Sequence, residues 1–472
     1  MKAQPNILLI TADQLRVDCL GCYDNPVIRT PNIDALAENG VRFDSAFTAA
    51  TVCVPSRQSI LTGQYPSKHG AKGNGSAIPE GTATFVSSLH DAGYQTAALG
   101  KMHFYPPYAD YGFDAMELAE QHGPGRYMDD YHAYLDEIGL FDTWDEWDQV
   151  EEKRKTAPTH YWEQYGGQVS DIPEEHYHST WITDRTLEFI ETRDTNRPFF
   201  AWMSFIKPHH PFDPPAPYDQ KYNPEDIPLP QPQTGWQDKP LLKRYHDPRE
   251  AFFDTRNMTE DELRQIITLY YGTIEHIDLQ VGRILDYLKQ SNLMDNTVIV
   301  FTSDHGDYLG QFGLFLKHPN LPYDGLAKAP LIISGADVSK STQTDTLTSL
   351  VDLAPTFISL AKSDKLRRTQ GMDLSSILSG NIQDSDREAI YCESGDGALG
   401  VITASHKSIY DPQRQITEVY DRQNDMLEQN NIAEQETQTI LHHQHLLRDW
   451  LIDCCYDRYA NAIRSFPRER NT

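Results

Sequence analysis

Positive charge is in short supply in this chain. Its 41 lysines and arginines face 69 aspartates and glutamates over 472 residues, a formal net charge of −28. Such a surface repels phosphate backbones and anionic lipid, so neither nucleic acid nor a membrane surface is expected as a partner. Long hydrophobic runs are missing too, which excludes a membrane-spanning helix. No signal-peptide core separates Met1-Lys2-Ala3-Gln4-Pro5 from the first strand-like segment. As written, the chain reads as cytoplasmic, or as periplasmic or secreted if a leader was replaced by a start methionine. Cysteine is scarce: Cys19, Cys22, Cys53, Cys392, Cys454 and Cys455 are too few for a disulfide framework at this length. Cys19 and Cys22 have redox spacing but no helix start beside them. Cys454 and Cys455 read as core residues of a terminal helix. Internal repeats and low-complexity tracts are absent, which excludes a solenoid.

What is present is an alternation of strands and helices. Asn6 to Ala12 is apolar nearly throughout, as in a buried parallel strand. Thr30-Pro31 opens a helix that Gly40 ends. Further strands are predicted over Val41–Phe47, Tyr94–Leu99, Pro198–Ile206 and Thr297–Thr302. Helices are predicted from Cys53 to near Gly63, over Thr84–Ala92 and Thr180–Thr192, and over a long span from about Glu260 to Lys289. The pattern predicts an α/β fold, a large mostly parallel sheet sandwiched by helices. The length exceeds one core, so two units are expected: a catalytic α/β domain over 1–380 and a smaller C-terminal α+β subdomain over 381–472. Two stretches break the rhythm, at about 105–178 and 213–248, and read as long irregular insertions. After residue 380, short strand-like runs lead into a helix near Ile432 to Cys454.

The residues with chemistry lie just after the predicted strands: Asp13-Gln14, Cys53, Lys101 with His103, His209-His210, and Asp304-His305. Ligands of open α/β sheets bind outside the carboxyl ends of strands, so these scattered groups are expected to converge. Two carboxylates and an amide oxygen, from Asp13, Asp304 and Gln14, suit a divalent cation such as calcium. The nitrogen of His305 leaves manganese open. Lys101 and His103 are two residues apart, and on a continuing strand they would face the same way, toward Cys53. The plain alternatives are a helix cap and turn at Asp304-His305, and a solvated lysine beside a satisfied histidine.

The run Cys53-Val54-Pro55-Ser56-Arg57, closed by Thr62-Gly63, resembles the signature of the sulfatase family. Gly100-Lys101-Met102-His103, Lys207-Pro208-His209-His210-Pro211, Lys317 and Tyr420-Asp421 resemble further blocks of that family, in its order along the chain. The resemblance implies an alkaline-phosphatase-like fold and a sulfuric ester hydrolase whose Cys53 is converted to formylglycine. The partner would be a formylglycine-generating or sulfatase-maturating enzyme. It implies metal ligation by Asp13, Gln14, Cys53, Asp304 and His305, and orientation of the formylglycine by Arg57. It gives Lys101, His209 and Lys317 contacts to the sulfate, His209 or Lys317 the proton for the leaving oxygen, and His103 the final base. His210 would line the pocket. His406 and Lys407 would contact substrate or cover the subdomain edge. Many members carry Asp at the place of Gln14 and Asn at that of His305, so the identity of the metal is open. Against −28 of charge, a short sulfated saccharide entering a cationic pocket is the expected substrate, in polysaccharide degradation. A phosphonate monoester or phosphodiester hydrolase, and a non-catalytic binder of sulfated glycans, are the alternatives. A monomer and a homo-oligomer are both compatible with the sequence.

Overall fold

All eight residues from Asn6 to Asp13 are buried. That is what a run apolar on both faces demands of a central parallel strand. In the computed structural model this strand, β1 (Asn6–Asp13), lies inside an eight-stranded sheet. The order across the sheet is β5 (Ala115–Leu118), β4 (Gln95–Gly100), β6 (Phe199–Pro208), β1, β7 (Thr297–Ser303), β8 (Leu331–Gly335), β2 (Gly40–Phe43) and β9 (Thr342–Thr344). From β5 to β7 every pairing is parallel. Only β8 runs against its two neighbours. The structure describes residues 4–231, 236, 239–243, 252–364, 366, 368–381 and 387–465, with 124 and 457–465 by backbone alone. Parts of the second expected insertion (232–235, 237–238, 244–248) and residues 382–386, beside the expected domain boundary, lie outside the described residues.

Alternation along β1 feeds two cores, one on each face. Leu8 and Ile10 pack with the helices His178–Thr192 and Glu260–Gln290, whereas Ile7 and Leu9 pack with Cys53–Thr62, Phe85–Asp91 and Leu353–Leu360. The neighbours of β1 connect in opposite senses, β6 and β4 on one side and β7 and β8 on the other. The loops leaving its carboxyl end therefore part, and the crevice between them is where the site lies. A two-stranded pair, β3 (Ala46–Phe47) with β10 (Thr348–Ser349), stands beside the main sheet. The C-terminal antiparallel sheet takes β11 (Ile390–Glu393), β12 (Leu399–Ile402), β13 (His406–Asp411) and β14 (Ile416–Asp421), with the helix Thr437–Ser465 after it. Among the described residues no helix is long and apolar enough to cross a membrane.

Three expectations are corrected. The single strand expected over Val41–Phe47 is broken by a turn at Asp44-Ser45, so β2 pairs in the main sheet and β3 in the small one. The stretch 105–178 is not irregular. It holds β5 and the short helices Asp130–Ile138, Thr143–Gln149, Glu151–Arg154 and Thr159–Glu163. Helices of nine residues or fewer show too little of the 3.6-residue period to be seen in the sequence, and two of them rest on aspartate caps, Asp129 and Asp142. Cys454 is buried but Cys455 is exposed, since adjacent helical positions point about 100° apart.

Lys407 does not reach outward. Its side chain is fully buried, and its Nζ lies 2.6 Å from both Asp324 Oδ1 and Glu428 Oε1. It ties β13 to the helix Asp324–Ala327 of the main body. His406 is half-buried against the Ser405 hydroxyl. Removing one partner strands the buried carboxylates, so Lys407→Met is expected to cost about 3–5 kcal/mol in urea unfolding. A loss under about 1 kcal/mol would show that the pair is solvated instead.

Candidate active site

Cys53 is the first residue of the helix Cys53–Thr62, and Gly63 ends that helix in the left-handed conformation. Every residue of the helix is buried, polar ones included. Four residues on, one turn along the same face, Arg57 reaches across the strand ends. Its Nε donates to Asp304 Oδ2 at 2.9 Å and its Nη2 to Asp13 Oδ2 at 3.1 Å. Its Nη1 donates to the Lys101 carbonyl at 2.5 Å and to Ser204 Oγ at 2.8 Å. Asp13 closes β1, Ser204 is in β6, and Lys101 and Asp304 come directly after β4 and β7. One guanidinium thus spans four strands.

The acids it holds face the nucleophile position. Cys53 Sγ lies 3.7 Å from Asp13 Oδ1, 3.2 Å from His305 Nε2 and 3.2 Å from Lys317 Nζ. Donor atoms of Asp13, Cys53, Asp304 and His305 all lie within 4.8 Å of one another, in full burial. Gln14 has a positive φ of 64° that turns its side chain into the same place. Its Nε2 donates to Asp307 at 2.6 Å and its Oε1 accepts from Lys317 Nζ at 2.9 Å, which fixes the amide's orientation. The donor set fits a divalent cation: two buried carboxylates, an imidazole whose Nδ1 is engaged by the Gly306 carbonyl at 2.9 Å, and an amide oxygen nearby. Burial pushes the His305 imidazole down, but Asp304 and Cys53 outweigh it and bring it up to about 9. The negative charge that favours a proton on that nitrogen favours a metal there equally.

Cations surround the cluster. Burial would raise the Asp13 carboxyl, yet Lys101, His209, Arg57 and Lys317 together hold it well below the usual carboxylate range. Burial and Asp13 push the Cys53 thiol up, and Lys317 and His305 more than offset them. Lys101 Nζ sits 2.8 Å from Asp13 Oδ2 and donates to Gln121 Oε1 at 3.0 Å. It thus backs the carboxylate and does not touch Sγ. His209 Nδ1 lies 2.7 Å from the His210 carbonyl, which can only accept, so Nδ1 carries the proton. Its Nε2 then accepts from Lys317 Nζ at 2.7 Å. Burial and the neighbouring lysines push this imidazole well below its ordinary value, so it is neutral.

His103 departs from the expected geometry. The strand ends at Gly100, and His103 takes a positive φ of 57°, so period-two alternation does not govern where it points. It is placed instead by Glu120, whose Oε1 accepts from the Met102 and His103 amides at 3.1 and 2.7 Å. Its ring meets that of His122 edge-on at 4.4 Å, and its Nδ1 has no hydrogen-bond partner among the described residues. Burial and His122 keep it well below its ordinary value. Glu120, Gln121 and His122 were missed in the sequence. The signal was available in principle, because they come after β5 as Lys101 comes after β4, but β5 was hidden in the first insertion. His210 stacks on His209 at 4.3 Å and its Nδ1 lies 2.5 Å from Asp148 Oδ1. Asp148 stands in the helix Thr143–Gln149 and had no sequence signal.

A cavity of about 430 Å³ opens onto Lys317, His209, His210 and His122, with Gln149, Arg154 and Phe252 in its wall. A larger one, about 870 Å³ along Ile78, Tyr105 and Asp114, touches none of the cluster. Neither His406 nor Lys407 lines the smaller cavity.

A parallel sheet whose strand ends gather a nucleophile position, two carboxylates and a ring of cations defines a hydrolase of anionic esters. The comparisons agree. The sulfatase family model matches residues 5–363, and that of the N-sulphoglucosamine sulphohydrolase C-terminal region matches 310–452. An arylsulfatase of Clostridium perfringens is 31% identical over 458 residues, covering 92% of this chain and 91% of its own. The phosphonate monoester hydrolase of Agrobacterium radiobacter superimposes with a TM-score of 0.79 at 23% identity, over 95% of this chain and 96% of its own. A protein solved in complex with its substrate, D-glucosamine-2-N,6-O-disulfate, superimposes at 0.77 and 22% identity, over 96% and 98%. At those identities the two structures show the fold. The chain belongs to the sulfatase family and is a sulfuric ester hydrolase.

Arg57→Met would leave Asp13 and Asp304 facing each other, with Lys101 answering only one of them. In metal-free protein it is expected to cost about 3–5 kcal/mol in urea unfolding. The loss should shrink on adding calcium, which brings positive charge to the same carboxylates. An equal loss with and without calcium would show that the cation does not bind there.

Proposed function

We propose that Cys53 is converted to formylglycine and that the chain hydrolyses a sulfate ester of a short saccharide. The observation that carries this reading is the position of Sγ, at the start of a buried helix and within reach of Asp13, His305 and Lys317. Sγ stands where a hydroxyl of the hydrated aldehyde would lie, in the positive field of the helix N-terminus. A divalent ion held by Asp13, Cys53, Asp304 and His305 with Gln14, calcium or manganese, would lower the nucleophile's pKa. The saccharide is supported by the N-sulphoglucosamine sulphohydrolase match and by the ligand of the second structural neighbour.

In this reading Arg57 fixes both carboxylates, and Asp304 takes part in deprotonating the nucleophile. Lys317, Lys101 and His209 balance the negative charge that a sulfate ester spreads over its oxygens. His209 is neutral with its Nε2 toward Lys317, so Lys317 holds the proton and His209 aims it at the leaving oxygen. Attack on sulfur breaks the bond to the saccharide oxygen, which takes the proton from Lys317. His103, neutral and with Nδ1 free of partners among the described residues, then takes the proton of the second hydroxyl as sulfate leaves and the aldehyde re-forms. A formylglycine-generating or sulfatase-maturating enzyme supplies the conversion. Gln14 and His305 favour a second reading, a phosphonate monoester or phosphodiester hydrolase. Lys101 and His103 favour sulfate.

Co-expression with a maturase should yield a Cys53 peptide bearing an aldehyde in place of the thiol, by mass spectrometry, with sulfate release rising in step. Thiol alone with undiminished hydrolysis would sink the mechanism. A higher kcat/KM on an aryl phosphonate than on sulfated saccharides would move the assignment to the second reading. Lys317→Met is expected to lower kcat/KM on a saccharide sulfate by about 10²–10⁴-fold. The same variant should lose much less on an aryl sulfate, whose leaving group needs no proton; equal losses on both would remove Lys317 as the acid.

A further inference from the structure

The cavity holds a second cation that the chemistry above leaves idle. Arg154 closes the helix Glu151–Arg154, and its guanidinium carbon lies 4.2 Å from the ring centroid of Phe252. Its Nε donates to the Asp148 carbonyl at 2.9 Å, and its Nη2 donates to the same oxygen. The group is therefore held in place by an uncharged acceptor and an aromatic face. Its Nη1 makes no hydrogen bond, and no carboxylate pairs with it, among the described residues. Arg16 is answered by Asp18, Arg126 by Asp145 and Glu146, and Arg387 by Asp352, whereas Arg193 and Arg422, like Arg154, are held by backbone carbonyls and an aromatic face. Of these three, Arg154 is the one that lines the cavity beside Lys317 and His209.

Its surroundings point the same way. The Asp148 carboxylate behind it is turned to the Tyr161 hydroxyl at 2.8 Å and to His210. Among the described residues the cavity lining contains no aspartate or glutamate, but it does contain Lys317 and four histidines. Lys317 is committed to the nucleophile end through Cys53 and His209. Arg154 touches none of that cluster. At about 430 Å³ the cavity is near the small end of ligand sites, so one mono- or disaccharide spans it. A planar guanidinium with open N–H groups matches a carboxylate or a sulfate in paired hydrogen bonds.

We infer that Arg154 receives a second anionic group of the substrate, a carboxylate or a further sulfate, so that the enzyme selects saccharides carrying at least two negative charges. The inference rests on the sulfate-ester reading for its first charge. A single charge-assisted contact of this kind is worth about tenfold to a hundredfold in affinity.

The test uses three sugars: a monosulfated neutral hexose, the same hexose disulfated, and a monosulfated disaccharide bearing a uronate. Each is measured twice, as kcat/KM of the maturase-treated enzyme and as calorimetric affinity for the unconverted Cys53 protein. The unchanged chain should prefer a dianionic sugar by about tenfold or more in both measurements. The disulfate and uronate arms tell which anion is read. Arg154→Met should bring the preference to within about twofold, and Arg154→Lys, which keeps the charge and guards against misfolding, should keep part of it. Equal affinity for all three sugars in the unchanged chain, or a preference that Arg154→Met leaves intact, overturns the inference. Should the matured enzyme release no sulfate while the calorimetric preference still vanishes in Arg154→Met, the sulfate-ester reading falls and the assignment of Arg154 stands.

Discussion

The Arg57 guanidinium is the interaction on which the rest of this structure depends. With four hydrogen bonds it joins the end of β1, the middle of β6 and the chain just past β4 and β7. It does so at 1% exposure, where an uncompensated charge would cost several kcal/mol. Two buried carboxylates and their cations make each other tolerable. Without the positive groups two buried carboxylates would face each other, and without the acids neither Arg57 nor Lys101 could be buried. The folding core and the reactive centre are therefore one network. Interlocking of this kind fixes geometry, and geometry within a fraction of an ångström is what an ester-cleaving site requires.

Around that fixed floor the site is layered. The start of the helix Cys53–Thr62 contributes Cys53, and the end of β1 and the chain just past β7 contribute the acids. His209 and His210 stand further out, each with its ring position fixed by an acceptor, the His210 carbonyl for His209 and Asp148 for His210. Beyond them the wall is built from the short helices of the insertion after β5, carrying Gln149 and Arg154. The floor belongs to the central sheet, whereas the wall belongs to the segment after β5, which also braces the floor through Glu120 on His103, Gln121 on Lys101 and Asp148 on His210.

The sequence displayed the floor well and the wall hardly at all. Asp13, Asp304 and His305 were legible because long apolar strands announce their own ends, and side chains just beyond the carboxyl ends of parallel strands converge on one crevice; Cys53 was legible through its resemblance to the sulfatase signature. Gly63 and Thr84 marked helix boundaries for local reasons, a left-handed cap and a capping box. His103 was named as a site residue by resemblance, but the periodicity offered for its direction fails, because two residues with positive φ, Gly100 and His103 itself, end the strand there. Gln121, His122, Asp148 and Arg154 escaped notice because what places them is contact over long separations. Lys407 looked like a surface cation. Only the fold shows that Asp324, 83 residues away, draws it inside.

The helix Cys53–Thr62 is buried at all ten positions, and it contains nearly the whole stretch that a maturating enzyme would have to read. A protein-sized catalyst cannot reach an enclosed helix, so the proposed conversion of Cys53 would belong to the unfolded chain, before the strands close over it. Biosynthesis would then be a race between modification and folding, and the fraction of chains carrying the aldehyde would follow the speed of translation and the supply of the modifying enzyme rather than the fold.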